Sequence, residues 1–189
     1  RDVGFTTSLI TNGSLLSPEL AQKLAPNLSI LGVSLDSGIA IINRQIGRES
    51  RHGQSLTIEQ LEEAITAARR SNPRLQIKLN TVVNELNCHE DLSALIRRLA
   101  PQRWKVLRML PIVTDELTVC DAEFHGFVAR HQPLGDVLYV EDNTEMVESY
   151  VMIDPLGRFF QNAIGQSCYR YSRPIPEVGV DQAFAAVGM

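Results

Sequence analysis

Four polar side chains on two successive predicted strands have the types and the spacing to bind a highly charged anion. The stretch LQIKLNTVVN places Lys78 and Asn80 two residues apart, and PQRWKVLRML does the same with Arg103 and Lys105. Because side chains alternate between the faces of a strand, each pair shares one face. An arginine fork with lysine point charges is a donor set that proteins use for phosphate groups. A di- or triphosphate is therefore the ligand that this pattern favours.

A simpler interpretation stays open for these residues. Lysine and arginine on strands are often exposed edge residues, or they pair with acids. If the two strands are neighbours, however, the charges converge at the carboxyl end of a parallel sheet, where ligands of α/β folds bind. Arg48, in QIGRES, follows another strand and is expected to reach the same rim.

Three further polar positions also fit purely structural roles. Ser34, with Asp36 nearby, follows the second strand and is either a rim ligand or a turn former. Asn12 precedes Gly13 and fits a simple turn. Tyr150 begins a strand and fits a core position.

Strands and helices alternate over the first 111 residues. Strands are predicted at 7–11, 28–36, 75–84 and 101–110, and helices at 18–24, 57–72 and 88–100. This order implies βαβ units with right-handed crossovers and a parallel sheet or barrel. After Pro111 the rhythm changes to a helix at 121–131, a strand at 137–141 and a hairpin around Pro155-Leu156-Gly157. The fold class predicted is α/β, with a C-terminal α+β extension.

Composition and charge disfavour several classes of protein. The net charge of −4 over 189 residues disfavours a nucleic-acid protein held by general basicity. No apolar run is long enough to span a bilayer, and no signal-peptide pattern opens the chain. Cys88, Cys120 and Cys168 are far apart, which fits a reducing, cytoplasmic compartment better than a disulfide scaffold. Neither these cysteines nor the four histidines have the spacing of a metal site.

Seven segments carry a family resemblance, in order along almost the whole chain. They are LITNGSLL, LGVSLDS, IGR, IKLNTVVN, LAPQRWKVLRML, VEDN and ESYVMIDPLGRF. The pair IKLNTVVN and PQRWKV at this separation is the distinctive part. On these segments the chain resembles the viperin-like radical S-adenosylmethionine (SAM) nucleotide dehydratases.

The resemblance implies a partial radical SAM βα barrel. In that family the N-terminal units bind a four-iron four-sulfur (4Fe-4S) cluster through CxxxCxxC, and a GGEP-type segment contacts the SAM amino group. Neither motif occurs in this sequence. The chain is therefore expected to be a fragment that is inactive alone. It would comprise about the last four βα units at 1–111 and an incomplete substrate-covering subdomain at 112–189. Unpaired strands at the barrel edges would favour oligomers.

The resemblance also implies a reaction. Such enzymes cleave SAM reductively, and the 5′-deoxyadenosyl radical removes the 4′ hydrogen of a nucleoside triphosphate. Loss of the 3′ hydroxyl gives the 3′-deoxy-3′,4′-didehydro nucleotide, an antiviral chain terminator. CTP is the expected substrate, GTP and UTP are used by relatives, and a flavodoxin or ferredoxin is the expected reductant.

By position, the resemblance assigns eight residues to two groups. The substrate-binding group comprises Lys78, Asn80, Arg103, Lys105 and Tyr150. The SAM-binding group comprises Asn12, Ser34 and Arg48. No residue of this chain is assigned a catalytic or metal-binding role.

Two other classes of function stay open. One is a radical SAM enzyme of cofactor-maturation type, acting on a purine nucleotide or a peptide. The other is a non-catalytic nucleotide-binding module. A CxxxCxxC motif upstream of Arg1 would separate the enzymes from the binding module, and product analysis with each nucleoside triphosphate would separate the two enzymes.

Overall fold

The chain folds into two compact units. The computed structural model describes residues 4–49, 53, 56–111, 114–146, 150–162 and 169–187. The first unit contains the described residues up to Arg108 together with Val119–Val140. The second contains Met109–Thr118 and the described residues from Glu141 onward. Each unit is described below by itself.

The first unit is built on a five-stranded sheet. Its strands, in the order in which they lie side by side, are β1 (Ser8–Thr11), β2 (Ile30–Ser34), β3 (Gln76–Val83), β4 (Arg103–Arg108) and β5 (Leu138–Glu141). The pairings of β1 with β2, β2 with β3 and β3 with β4 are all parallel. The predicted α/β class with a parallel sheet is confirmed.

Helices precede or follow most of these strands. They are α1 (Pro18–Leu24), α2 (Ala40–Gln45), α3 (Ile58–Ser71), α4 (Ser93–Leu99) and α5 (Asp121–His131). The start of α1 is fixed by Ser17, whose hydroxyl oxygen accepts the Leu20 N–H, and by Pro18 at the first helical position. The start of α3 is fixed by a capping box between Thr57 and Gln60, as the sequence predicts. Across the described part of the chain, no helix is long and apolar enough to cross a membrane.

Two helical predictions need correction. The helix predicted at 88–100 begins only at Ser93. Before it, the Asn84 N–H donates to Asn87 Oδ1 at 2.8 Å, and such side-chain bonds compete with helical ones. The stretch after β2, where no helix was predicted, contains α2.

The apolar core lies on one face of the sheet. The strand residues directed towards it are at most 1% exposed and alternate along their strands: Leu31 and Val33, Ile77 and Leu79, Trp104 and Val106. Helices supply the remainder of this core, including Leu61 and Ile65 from α3 and Ile96 from α4. Alternation directs the intervening strand residues to the opposite face.

The second unit contains a three-stranded antiparallel sheet. Its strands are β6 (Met152–Ile153), β7 (Arg158–Asn162) and β8 (Tyr169–Pro174), and its helices are α6 (Asn143–Met146), α7 (Ile175–Val178) and α8 (Val180–Ala185). The predicted hairpin is confirmed, because β6 pairs with β7 across the turn. Asp154 Oδ1 holds that turn by accepting the N–H groups of Leu156 and Arg158, both at 2.9 Å. The sequence did not predict β8, α7 or α8.

His131, at the end of α5, is a fully buried neutral histidine. Its Nε2 accepts the Leu92 N–H at 2.8 Å, and its Nδ1 donates to the Phe127 carbonyl at 2.8 Å. The ring lies edge-on to Trp104, with centroids 4.9 Å apart. Burial lowers the pKa of His131, against opposing effects from the Phe127 carbonyl and the Asp91 carboxylate.

We expect His131 to make the protein less stable in acid. Because its pKa is lower in the folded chain, the unfolded chain binds the proton more readily. His131 therefore makes its full contribution to the free energy of unfolding above about pH 6.5, the pKa of histidine in an unfolded chain. This contribution is lost as the pH falls towards the lower pKa of His131 in the folded protein. Urea unfolding between pH 8 and 5 should give a flatter profile for His131→Gln than for the wild type. His125 is exposed, so the control variant His125→Gln should keep the wild-type dependence of stability on pH. If His131→Gln is as steeply dependent on pH as the wild type, His131 does not cause the loss of stability in acid.

Candidate functional site

All four predicted anion ligands lie on the face of the sheet opposite the apolar core. The register of β3 and β4 pairs Lys78 with Arg103 and Asn80 with Lys105. The predicted sharing of one face is therefore confirmed. Neighbouring strands lie ~4.8 Å apart, and alternate residues of a strand lie ~6.6 Å apart. These four residues, called the polar quartet below, thus form a patch of roughly 5 by 7 Å at the backbone.

The quartet lies in two rows that continue onto β2. Ser34 pairs with Asn80, so Ser34, Asn80 and Lys105 form a row at the carboxyl end of β2. Gly32 pairs with Lys78, so Lys78 and Arg103 form a row two residues nearer the amino ends. The expectation that all the charges meet at the carboxyl edge needs correction, because Arg103 is the first residue of β4.

The carboxyl row contains two buried polar side chains. Lys105 is 6% exposed and Asn80 is 9% exposed. Among the described residues, Asn80 Oδ1 has no hydrogen-bond partner. Leaving a buried acceptor unsatisfied costs about 1–3 kcal/mol, and native structures rarely do so. A hydroxyl or amine of a ligand would satisfy this oxygen.

The amino-terminal row lines a cavity of about 320 Å³. Lys78 and Arg103 contribute to its wall, together with Gln76 and Tyr139. The Arg103 guanidinium lies over the Tyr139 ring, 4.0 Å from its centroid, and this stacking restrains the exposed arginine. Sequence reasoning missed Tyr139, because only the pairing order of the sheet brings β5 beside β4.

Arg48 forms an ion pair with Asp36 at the end of β2. Its Nε–H donates to Asp36 Oδ2, while Asp36 Oδ1 accepts the Val82 N–H at 2.8 Å. The Asp36 side chain is 0% exposed and that of Arg48 is 32% exposed. Asp36 therefore connects the end of β2 both to Arg48 and to β3. An arginine has five N–H donors, so contact with a ligand would have to use donors other than Nε–H.

Asn12 and Tyr150 have local contacts of their own. Asn12 Oδ1 accepts the N–H and the hydroxyl of Ser14 at 3.1 and 3.0 Å, which is the turn that the sequence also allowed. Tyr150 belongs to the second unit and is 49% exposed, so it is not a core residue. Its hydroxyl lies 3.5 Å from the Glu141 carboxylate.

Glu90 joins the two loops that follow β2 and β3. Its carboxylate accepts the Ser37 hydroxyl at 2.6 Å and the Gly38 N–H at 2.8 Å. The partners are more than 50 residues apart in sequence, so no local signal predicts this contact. It fixes the loop between Ser34 and Arg48, the two residues assigned to SAM by resemblance.

Curated proteins similar to this chain share one name. The chain is 43% identical over 181 residues to the S-adenosylmethionine-dependent nucleotide dehydratase of Psychrobacter lutiphocae, covering 96% of this chain and 60% of that protein. It is 43% identical over 183 residues to the protein of the same name from Pseudoalteromonas ulvae, covering 97% and 59%. It is 31% identical over 194 residues to S-adenosylmethionine-dependent nucleotide dehydratase RSAD2 of Danio rerio, covering 97% and 52%. The predicted resemblance is confirmed, and the chain spans about 60% of the length of the first two relatives.

Solved structures with a similar fold include two forms of one protein. Native anSMEcpe with bound AdoMet superposes with a TM-score of 0.68 at 13% identity, covering 95% of this chain and 56% of that chain. The hexahistidine-tagged form with bound AdoMet gives a TM-score of 0.68 at 13% identity, covering 94% and 53%. At this identity the likeness shows the fold alone. No family model matches the chain.

Proposed function

We propose that the chain is part of a radical SAM enzyme that converts a nucleoside triphosphate to its 3′-deoxy-3′,4′-didehydro analogue in antiviral defence. CTP is the substrate proposed first, with GTP and UTP as alternatives. The polar quartet carries the proposal, because it presents three cations and an unsatisfied amide oxygen on one face of the sheet. The shared name of the relatives supports it.

The quartet provides two different kinds of contact to such a substrate. Lys78, Arg103 and Lys105 would bind the triphosphate, since phosphate groups accept hydrogen bonds from both lysine and arginine. Asn80 Oδ1 would accept a hydroxyl of the ribose, which removes the cost of its burial. Strands are rigid elements, so they hold the reacting carbon more accurately than loops do. We assign Tyr150 as a further substrate contact.

The cofactor would lie along the carboxyl edge of the same face. We assign Asn12, Ser34 and Arg48 to SAM, with Arg48 using donors other than the one bound to Asp36. The sheet, covered by helices on one face and polar on the other, would be the last part of a βα barrel whose interior is the polar face. SAM and a 4Fe-4S cluster would supply the radical chemistry, while the protein positions and shields the substrate.

The described cysteines do not fit the cluster. Cys88 and Cys120 are far apart in the sequence, so they do not form a CxxxCxxC motif. Cys168 lies outside the described residues. The proposal therefore places the cluster ligands outside these 189 residues. It includes a flavodoxin or ferredoxin as reductant and a cytoplasmic location, the latter from the cysteine pattern.

Product analysis tests the proposed function. A full-length protein that contains this chain is reconstituted without oxygen with iron and sulfide, and is then incubated with SAM, dithionite and each nucleoside triphosphate. We expect 5′-deoxyadenosine together with a nucleotide that has lost one water, formed fastest from CTP and identified by mass spectrometry. SAM cleavage with every nucleotide recovered unchanged would overturn the proposal in favour of another radical SAM substrate. Nucleotide binding without SAM cleavage would favour a binding module.

A further inference from the structure

Three side chains with metal-binding atoms meet where the loop after β3 contacts the start of α5, and Cys120 directly precedes that helix. One ligand atom from each of Cys88, His89 and Glu123 lies within 4.8 Å of the other two. The Cys120 N–H donates to Glu123 Oε2 at 2.8 Å, which places Cys120 next to this cluster. None of these residues belongs to the polar quartet or to its rows.

The local backbone explains this convergence. Cys88 and His89 are consecutive residues of the turn before α4, whereas Cys120 directly precedes α5 and Glu123 is its third residue. Residues three apart at a helix start lie on the same side. Arg130 fastens the turn to α5 by donating to the carbonyls of Cys88 and Glu90, at 3.1 and 3.2 Å. The cluster therefore sits on two elements that are already held together.

We propose that Cys88, His89 and Glu123 bind a structural zinc ion, with the Cys120 thiol as the fourth ligand. Thiolate sulfur, imidazole nitrogen and carboxylate oxygen are the ligands that zinc takes in proteins. Tetrahedral zinc, with bonds of ~2.0–2.3 Å, separates its ligand atoms by roughly 3.3–3.8 Å.

Zinc binds cysteine as the thiolate, so coordination has a proton cost. Binding to Cys88 would release one proton to solvent, and binding to Cys120 would release a second.

A zinc ion here would stabilise the loop that supports the polar quartet. In the same turn as Cys88 and His89, Asn87 Nδ2 donates to the carbonyls of Asp36 and Val82, at 2.8 and 2.9 Å. The turn thus connects α5 to the ends of β2 and β3. The zinc site does not depend on the proposed nucleotide chemistry, so either can fail without the other.

Cobalt spectroscopy and zinc titration of the reduced, metal-free protein test the site. We expect one equivalent of Zn²⁺ to bind, and Co²⁺ to give a thiolate charge-transfer band and the strong visible bands of a tetrahedral ion. His89→Ala and Glu123→Gln should each weaken zinc binding at least tenfold, and Cys88→Ser should reduce the thiolate charge-transfer band. His125→Ala, an exposed histidine of α5 outside the cluster, should bind like the wild type.

Two outcomes would count against the site, and a third would count against its fourth ligand. Equal zinc affinity in His89→Ala and His125→Ala would overturn it, and His89 is exposed, so its removal should not disturb folding. The weak visible bands of octahedral cobalt would also overturn it. An unchanged charge-transfer band in Cys120→Ser would overturn the assignment of the fourth ligand, whereas a reduced band would support it.

Discussion

Replacing Lys105 with methionine is expected to weaken nucleoside triphosphate binding at least thirtyfold. Lys105 is 6% exposed, and it lies in register with Asn80, whose amide oxygen has no partner among the described residues. Truncating one member of a buried charge pair costs about 2–5 kcal/mol, which corresponds to ~30-fold or more in affinity. Methionine has a similar length, so packing is kept while the charge is removed.

Arg103 should behave differently although it belongs to the same quartet. Its side chain is exposed and stacks on Tyr139, so its contact with a phosphate stays in a solvated environment. Arg103→Met should therefore weaken binding less than Lys105→Met and should reduce the salt dependence of binding.

Calorimetry with magnesium–CTP measures these effects in a full-length protein that contains this chain. Arg97→Met is the matched control, because it removes one exposed positive charge from α4 and changes the net charge equally. If Lys105→Met binds the nucleotide as tightly as Arg97→Met does, the quartet does not bind the triphosphate.

The arrangement of the quartet could be predicted because it depends on two simple periodicities. Alternation along a strand places Lys78 and Asn80 on one face, and it does the same for Arg103 and Lys105. The βα rhythm makes β3 and β4 neighbours in a parallel sheet. Neither periodicity determines how far along its strand a residue lies. For this reason Lys78 and Arg103 were predicted at the carboxyl edge of the sheet, whereas their row lies nearer the amino ends of the strands.

Contacts that connect distant segments could not be predicted. Tyr139 reaches Arg103 because β5 joins the sheet after a helix and an irregular segment, and no local pattern specifies that pairing. Glu90 was placed inside a predicted helix, whereas the turn before α4 directs its carboxylate to Ser37. Long-range partners of this kind depend on tertiary packing, which composition and periodicity do not encode locally.

The largest loss of stability is expected at Asp36, which the sequence presented as a rim ligand or a turn former. Asp36→Ala should lower the free energy of unfolding by about 2–4 kcal/mol. The substitution leaves the Val82 N–H and the Arg48 guanidinium without their acceptor. The Val82 N–H should account for most of the loss, because Arg48 is 32% exposed and solvent replaces part of its pair. Asp36→Asn keeps an oxygen for Val82, so it should lose less.

Urea unfolding of these variants and of Arg44→Ala separates a buried pair from an exposed one. Arg44, in the last turn of α2, pairs with Glu49 at 2.7 Å, but its side chain is 61% exposed. Exposed pairs contribute little, so Arg44→Ala should unfold close to the wild type. A double-mutant cycle of Asp36→Ala with Arg48→Met then measures the coupling within the buried pair. If Asp36→Ala unfolds like Arg44→Ala, the end of β2 is not held by this carboxylate.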